Sequence, residues 1–325
     1  MSGPFEAYSD LEEIAQRLKA ADAGERRVAV MELGDSGDAA AIPLLEEMLS
    51  DPDVGVRQQA ALALGEFDGP AAAAALAKAL VDPEQAVAAA AADGAAELKD
   101  PASADPLLPL VTHASAFVRM AALRALKELR RKDSLKPALA ALRDADPAVR
   151  VQAVGAIGFL KLEEAVPALK AATADADPHV RRAAVSALAF SAMPTATETI
   201  TRALADGDWM VREIAAETVG LSAAGQRAAE PLIAALDDAF WQVRLKAARS
   251  LGRLKVAKAV PGIARALAHA QANLRKEAAA ALGEIADPAA RPHLEAVLED
   301  PDPDVRKNAR WALQRLAAPG AAARS

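Results

Sequence analysis

Apolar side chains along this chain recur three or four residues apart, which is the spacing of one face of an α-helix. In the stretch that begins at Trp241, Val243, Ala247, Leu251 and Leu254 follow this spacing, and polar residues fill most of the positions between them. Related stretches cover nearly the whole sequence and are separated by short turns rich in Asp, Pro and Gly. The pattern predicts an all-α protein built from short amphipathic helices.

Most of these stretches carry a Val-Arg pair near their start, and the arginine recurs at a fixed interval. The arginine register falls at positions 26, 57, 88, 119, 150, 181, 212, 244, 275 and 306, with Ala88 once in place of arginine. Successive positions are 31 residues apart, except for 32 between the positions 212 and 244. A fixed period of this size is typical of stacked repeats that share one elongated core.

Each period contains two predicted helices. The first opens with small residues or with Pro, which is tolerated there because the first turn of a helix leaves its N–H groups unpaired. The second helix begins at the Val-Arg pair, and turn aspartates such as Asp51, Asp82, Asp146 and Asp177 are predicted to cap it. Ten helix pairs are predicted in this way, with one first helix expected over residues 106–111.

The predicted organisation is one continuous array. Residues 1–24 are an N-terminal segment and a first helix, expected over about residues 10–21 after a capping box at Ser9, and residues 25–316 are the repeats. Residues 317–325 are predicted to be a disordered tail because they are small and terminal. The third repeat departs from the pattern between Ala88 and Gly94, and we expect it to be irregular or loose.

The repeat consensus resembles a known family. Two segments, Asp177-Pro-His-Val-Arg-Arg-Ala-Ala-Val-Ser-Ala-Leu188 and Asp302-Pro-Asp-Val-Arg-Lys-Asn-Ala-Arg-Trp-Ala-Leu313, resemble HEAT repeats, and in particular the HEAT-like repeat first named in phycobilisome lyase subunits. The resemblance covers about residues 10–316. It implies a right-handed superhelical α-solenoid of about ten two-helix repeats. The family includes bilin lyases, assembly factors and scaffolds, so the resemblance does not select one function.

Composition narrows the function classes. Hydrophobic residues make up 53% of the 325 residues but aromatic residues only 3%, which suits closely packed helices with an Ala, Leu, Val and Ile core. The absence of cysteine excludes disulfide bonds, thiol nucleophiles and cysteine-ligated metals. No secretory signal or membrane-spanning run is visible, so we expect a soluble cytoplasmic protein without membrane insertion.

The distribution of charge is uneven. The net charge of −7 argues against a general nucleic-acid binder. Residues 1–55 carry thirteen acidic and four basic residues, whereas residues 244–276 carry nine basic residues and no acidic one. This asymmetry predicts oriented docking of another protein, with an acidic and apolar contact surface on that partner.

The arginine row and the recurring glycines are interpreted as structural. Each guanidinium is expected to bind a turn aspartate or the terminal carbonyls of a first helix, and so to link neighbouring repeats, rather than to bind anions. Glycines such as Gly220 and Gly252 are expected at close approaches between helices.

The variable positions beside the Val-Arg pairs are the candidate binding residues, because in HEAT stacks they face outward on the concave surface. The candidates are Phe117, Met120, Trp209, Met210, Ile214, Trp241, Leu245, Lys246, Arg249 and Arg253. Trp209 and Trp241 share one register in adjacent repeats, which would place them side by side, roughly 10 Å apart. Registered aromatic residues with arginine are typical of binding hot spots. The alternative is that both rings pack as core between repeats.

No catalytic or metal-binding motif is visible. The four histidines, His113, His179, His269 and His293, are far apart, and none forms a His-x-x-x-His pair. We therefore expect no catalytic residues, no metal and no cofactor, and a non-enzymatic interaction scaffold or assembly factor. The alternative from the resemblance is a bilin lyase-like subunit that holds an open-chain tetrapyrrole, with Lys246 or Arg249 pairing with its propionates. A resemblance to HEAT-like DNA alkyl-base glycosylases is weaker, because the groove of those enzymes is basic overall whereas the flanking repeats of this chain are rich in acidic residues.

Overall fold

The computed structural model describes residues 6–222 and 225–317. In these residues every regular element is an α-helix or a short 3-10 helix, and no strand occurs. The chain divides into two compact units, Met1–Leu160 and Lys161–Ser325. The all-α prediction is therefore confirmed.

The first unit contains nine α-helices in its described part. They are α1 Glu6–Arg17, α2 Ala23–Asp35, α3 Ile42–Met48, α4 Val54–Leu64, α5 Pro70–Ala79, α6 Gln85–Glu97, α7 Ala116–Leu129, α8 Leu135–Ala141 and α9 Pro147–Leu160. The helices that carry the arginine register, α2, α4, α6, α7 and α9, pack one against the next along the unit. A shorter helix packs on most of them, as α8 does on α9.

The second unit has the same plan. Its helices are α10 Val166–Ala172, α11 Pro178–Ala187, α12 Pro194–Arg202, α13 Trp209–Val219, α14 Ala229–Ala235, α15 Trp241–Arg253, α16 Val260–Ala266, α17 Ala272–Ile285, α18 Arg291–Glu295 and α19 Pro303–Ala317. The arginine-bearing helices α11, α13, α15, α17 and α19 again pack in series. The buried hydrophobic residues are almost all Ala, Leu, Val and Ile, as the composition predicts.

The structure corrects two predicted elements. The first helix begins at Glu6 and ends at Arg17, so Ser9 lies inside it and does not open it. No α-helix forms over residues 106–111; two 3-10 segments, Pro101–Ala104 and Leu108–Thr112, take its place. Three prolines in residues 101–109 explain this, because each removes a backbone donor and disfavours the helical conformation of the residue before it.

The third repeat is more regular than expected. Helix α6 continues without interruption through Asp93 and Gly94. A Cβ on Gly94 would lie 2.8 Å from the Cα of Gly65, so this glycine permits close contact with α4. At the other end of the chain, α19 includes Ala317, and the remainder of the predicted tail lies outside the described residues.

Membrane insertion was not expected from the sequence. None of the helices within residues 6–222 and 225–317 combines the length and the apolar character that a membrane crossing requires.

Candidate binding surface

The arginine row joins successive repeats through paired hydrogen bonds. Arg275 donates from Nε and Nη2 to the two carboxylate oxygens of Asp300, at 2.7 and 2.8 Å, and from Nη1 to the carbonyls of His269 and Ala270. The same arrangement occurs in the pairs Arg26–Asp51, Arg57–Asp82, Arg119–Asp144, Arg181–Asp206 and Arg212–Asp238. Each of these arginines therefore fixes its own turn to the turn of the next repeat, in agreement with the structural interpretation.

The turn aspartates have two distinct roles. Asp51 accepts the guanidinium of Arg26 and the N–H of Asp53, and the hydrogen bonds from Arg26 lower the pKa of the Asp51 carboxyl. Asp53, two residues later, caps α4 by accepting the N–H of Val56. The prediction that Asp51 and Asp82 are helix caps is therefore wrong, because their carboxylates hold arginines. Asp177 does cap α11, as expected.

The recurring glycines lie where two arginine-bearing helices touch. A Cβ on Gly220 would be 2.1 Å from the Oγ of Ser250, and a Cβ on Gly252 would be 2.8 Å from the Cα of Ala281. The hydroxyl of Ser250 is buried and donates to the carbonyl of Ala216 at 2.6 Å. These glycines permit the close helix contact that the sequence indicated.

The ten candidate residues lie in both units. Phe117 and Met120 are on α7 in the first unit and are half-buried. The other eight are on α13 and α15 in the second unit; Arg253 is exposed and the remaining seven are half-buried. No candidate is sealed in the core. We call the group on α13 and α15, together with Phe240, the α13–α15 surface.

The aromatic contact on this surface differs from the one expected. The ring of Trp209 stacks on that of Phe240, with centroids 5.3 Å apart and an angle of 12° between the planes. The guanidinium of Arg212 lies 5.8 Å from the Phe240 ring centre. Phe240 is 41% exposed. Sequence reasoning missed it, although it precedes Trp241 and occupies the capping position that Asp53 and Asp208 hold in other repeats.

The basic residues of the surface are mostly paired with acids. Lys246 donates to Glu217 at 2.9 Å, and Arg249 donates to both carboxylate oxygens of Glu277. Four further cations of the 244–276 run have carboxylate partners, in the pairs Lys258–Glu230, Arg265–Asp237, Arg275–Asp300 and Lys276–Asp304. The run looks basic in the sequence because its partners lie 25 to 29 residues away along the chain. Among the described residues, the other three cations of this run, Arg244, Arg253 and Lys255, have no carboxylate partner.

The described residues offer no evident site for metal chemistry. Within residues 6–222 and 225–317, no three His, Cys, Asp or Glu side chains lie close enough to hold a metal ion. Most ion pairs of the described residues join neighbouring repeats, and a few, such as Arg131–Asp133, are local.

The repeats match the sequence profile of a known protein family. The profile described as HEAT repeats matches residues 11–92, 74–142, 135–220 and 229–314. The chain is a HEAT-repeat protein. Its two-helix period is thus the period of its HEAT repeats. The profile does not distinguish the phycobilisome-lyase type within the family.

Solved structures share the fold at low sequence identity. An engineered protein is 22% identical with a TM-score of 0.52, and the alignment covers 96% of this HEAT-repeat protein and all of that chain. A chain from a complex of Kap95p with RanGDP is 14% identical with a TM-score of 0.65. That alignment covers 99% of this chain but 52% of the other, so this protein spans about half its length. No curated protein sequence is significantly similar to the chain.

Proposed function

We propose that this HEAT-repeat protein is a non-catalytic scaffold or assembly factor that binds another protein on the α13–α15 surface. The observation that carries the proposal is the half-exposed stack of Trp209 on Phe240, with Arg212 beside it and Trp241 next in the chain. Stacked aromatic rings with an arginine at the surface are typical of the anchor residues of protein interfaces.

The apolar candidates extend this surface along two helices. Met210 and Ile214 are four residues apart on α13, and Trp241 and Leu245 are four residues apart on α15, so each pair lies on one helical face. All four are half-buried, which leaves part of each side chain available for contact. This arrangement favours apolar contact with a protein over contact with a charged polymer such as nucleic acid.

The ion pairs modify the partner proposed from charge alone. Because Lys246 and Arg249 already have Glu217 and Glu277 as partners, they carry little unbalanced charge. We therefore propose a partner surface that is mainly apolar, with acidic groups at a few positions. A chain of the Kap95p–RanGDP complex has the same fold as this protein, and in that complex Kap95p binds another protein, RanGDP. The comparison supports partner binding for this chain only through the shared fold.

The finer features of the proposal rest on the sequence. The consensus around Asp177 and Asp302 supports about ten repeats of the phycobilisome-lyase type. The lack of cysteine supports a cytoplasmic location. The alternative bilin lyase-like activity would need Lys246 or Arg249 to pair with propionates, and both cations have carboxylate partners already. An absorbance change on mixing with a bilin at micromolar protein would favour that alternative.

Affinity capture from native lysate tests the proposed function. The variant Trp209→Ala/Trp241→Ala is expected to lose partners that the wild-type chain retains. The matched control is Trp311→Ala, since Trp311 is also partly exposed (39%) but lies on α19, against Gly283. Retention of every partner by the double variant, with an unchanged helical spectrum, would contradict the proposal.

A further inference from the structure

Arg244 lacks the carboxylate that its neighbours in the arginine row bind. It holds the same register as Arg212 and Arg275, but the residue 25 positions later is His269 instead of Asp. The Nη2 of Arg244 lies 3.0 Å from the Nε2 of His269. The Nε of Arg244 is buried and has no hydrogen-bond partner among the described residues. By contrast, Arg275 donates four hydrogen bonds.

The contact between Arg244 and His269 brings two donors together. The Nδ1 of His269 accepts the N–H of Gln271 at 3.0 Å, so the proton of the neutral ring is on Nε2. Burial and the charges of Arg244 and Arg275 lower the pKa of His269, which favours the neutral ring. The Nε2–H therefore faces a guanidinium N–H instead of an acceptor. Partly buried donors without acceptors are destabilising.

Within the described part of the chain, no neighbouring side chain supplies the missing acceptor. The Oε1 of Gln242 is also buried without a partner there. Gln242 is two residues before Arg244 on α15, and residues at that spacing do not face each other on a helix. The carboxylates of the turn before α15 are not free either: Asp238 is held by Arg212 and Asp237 by Arg265. The donors of Arg244 and His269 therefore lack an acceptor, and an anionic oxygen would supply it.

We propose that Arg244 and His269 bind a carboxylate of the protein partner, an Asp or Glu side chain that supplies the acceptor which an aspartate at position 269 would have supplied. The carboxylate would accept hydrogen bonds from Arg244 and from the Nε2–H of His269. This inference rests on the proposed function, because the site adjoins the α13–α15 surface: Trp241 begins α15 one turn before Arg244. The carboxylate would give that apolar surface one specific polar contact.

An internal control is present in the same chain. His113 occupies the matching turn position after Ala88, and its Nδ1 accepts the N–H of Ser115 at 3.1 Å. His113 therefore makes the same backbone contact as His269, but the arginine position 25 residues before it is Ala88. A carboxylate that binds through the Arg244–His269 pair should therefore not bind at His113.

Titration with acetate, followed by NMR of the histidine rings, tests the anion site without any partner. At constant ionic strength with chloride, the His269 signals are expected to shift saturably and the His113 signals to stay in place. Arg244→Gln should abolish the His269 shift. Equal shifts at both histidines, or none at His269, would overturn the proposal. Phosphate that binds more tightly than acetate would also overturn the assignment to a carboxylate.

His269→Asp tests the same site through stability. The new aspartate would complete the pair with Arg244, so Tm is expected to rise by about 2 °C or more. An unchanged or lower Tm would show that Arg244 does not need an acceptor, and would count against the proposal. His113→Asp, which has no arginine to bind, is the control and should give no such rise.

Partner capture separates this inference from the proposed function. His269→Asp is expected to lose the same partners as Trp209→Ala/Trp241→Ala, because its own carboxylate occupies the site. If His269→Asp retains partners that the double tryptophan variant loses, the surface binds a protein but the carboxylate assignment is wrong. If the double tryptophan variant retains every partner, the proposed function is wrong. The acetate titration then still tests whether Arg244 and His269 bind a carboxylate.

Discussion

The carboxylate of Asp300 accepts two hydrogen bonds from Arg275, which lies 25 residues earlier in the chain. Both side chains are largely buried, with 6% of the Asp300 side chain and 12% of the Arg275 side chain exposed. The bidentate geometry fixes the distance and the angle between two consecutive turns. Repetition of this contact explains why the arginine register is kept along the chain.

Removing one member of such a pair should be costly. In Asp300→Asn, the guanidinium of Arg275 loses its charged acceptor, and we expect the free energy of unfolding to fall by about 1–3 kcal/mol. Urea denaturation followed by circular dichroism measures this change. The control is Glu230→Gln, because the Lys258–Glu230 pair is 81% and 71% exposed. That change should cost less than about 0.5 kcal/mol; equal losses for the two variants would show that the burial of the pair is unimportant.

The paired aspartates should make the fold sensitive to acid. Hydrogen bonds from arginine lower the pKa of Asp51, Asp144 and Asp300 in the folded state. Their stabilisation is therefore fully present above the unfolded carboxyl pKa of about 4 and is lost as the pH falls through the lower folded values. Unfolding free energies measured from neutral pH to about pH 2.5 should fall mainly below pH 4. Asp300→Asn should flatten this fall; an unchanged slope would contradict the assignment.

The close contact at Gly220 should not tolerate a methyl group. In Gly220→Ala the new Cβ would collide with Ser250, whose buried hydroxyl is fixed by Ala216, so we expect a loss of about 1–3 kcal/mol. Gly155→Ala is the matched control, because its nearest neighbour would be the Cδ of Lys127 at 3.6 Å. Without a collision, that change should stabilise helix α9 by about 0.5–1 kcal/mol. Thermal denaturation of both variants should therefore give shifts of opposite sign.

On the α13–α15 surface, aromatic residues should matter more for partner binding than cations. Once a partner has been captured, Phe240→Ala is expected to weaken its affinity about tenfold or more, since the exposed ring is an anchor. Lys246→Ala should weaken it less than about threefold, because Lys246 is already paired with Glu217. Surface plasmon resonance measures both. A larger effect of Lys246→Ala would favour an electrostatic interface.

The sequence was sufficient to predict the repeating part of the structure. Spacing alone indicated the period, the paired helices and the structural role of arginines such as Arg212, because these features recur in nearly every repeat. The close approach at Gly220 was predictable for the same reason. A contact that is repeated many times leaves a periodic signal that one sequence is enough to reveal.

The features that occur once were harder to predict. The stack of Trp209 on Phe240 depends on an aromatic residue at a capping position, and no periodic signal marks it. The neutralisation of Lys246 by Glu217 joins residues 29 positions apart, so a local count of charges could not detect it. The role of Asp51 was assigned to capping because a turn aspartate and an arginine acceptor look alike in sequence. Non-local packing decided each of these features.

Most arginines of the row pair with an aspartate 25 or 26 residues ahead, and this spacing also bears on how such a gene can change in length. A duplication of 31 codons in frame would supply both an arginine and an aspartate, so the new copy would find a partner on either side. A deletion of one whole repeat would likewise bring together two equivalent turns, so that the arginine of one could pair with the aspartate of the other. A deletion of half a period would instead leave charged groups unmatched at the junction. The array is therefore expected to grow and shrink during evolution in whole repeats.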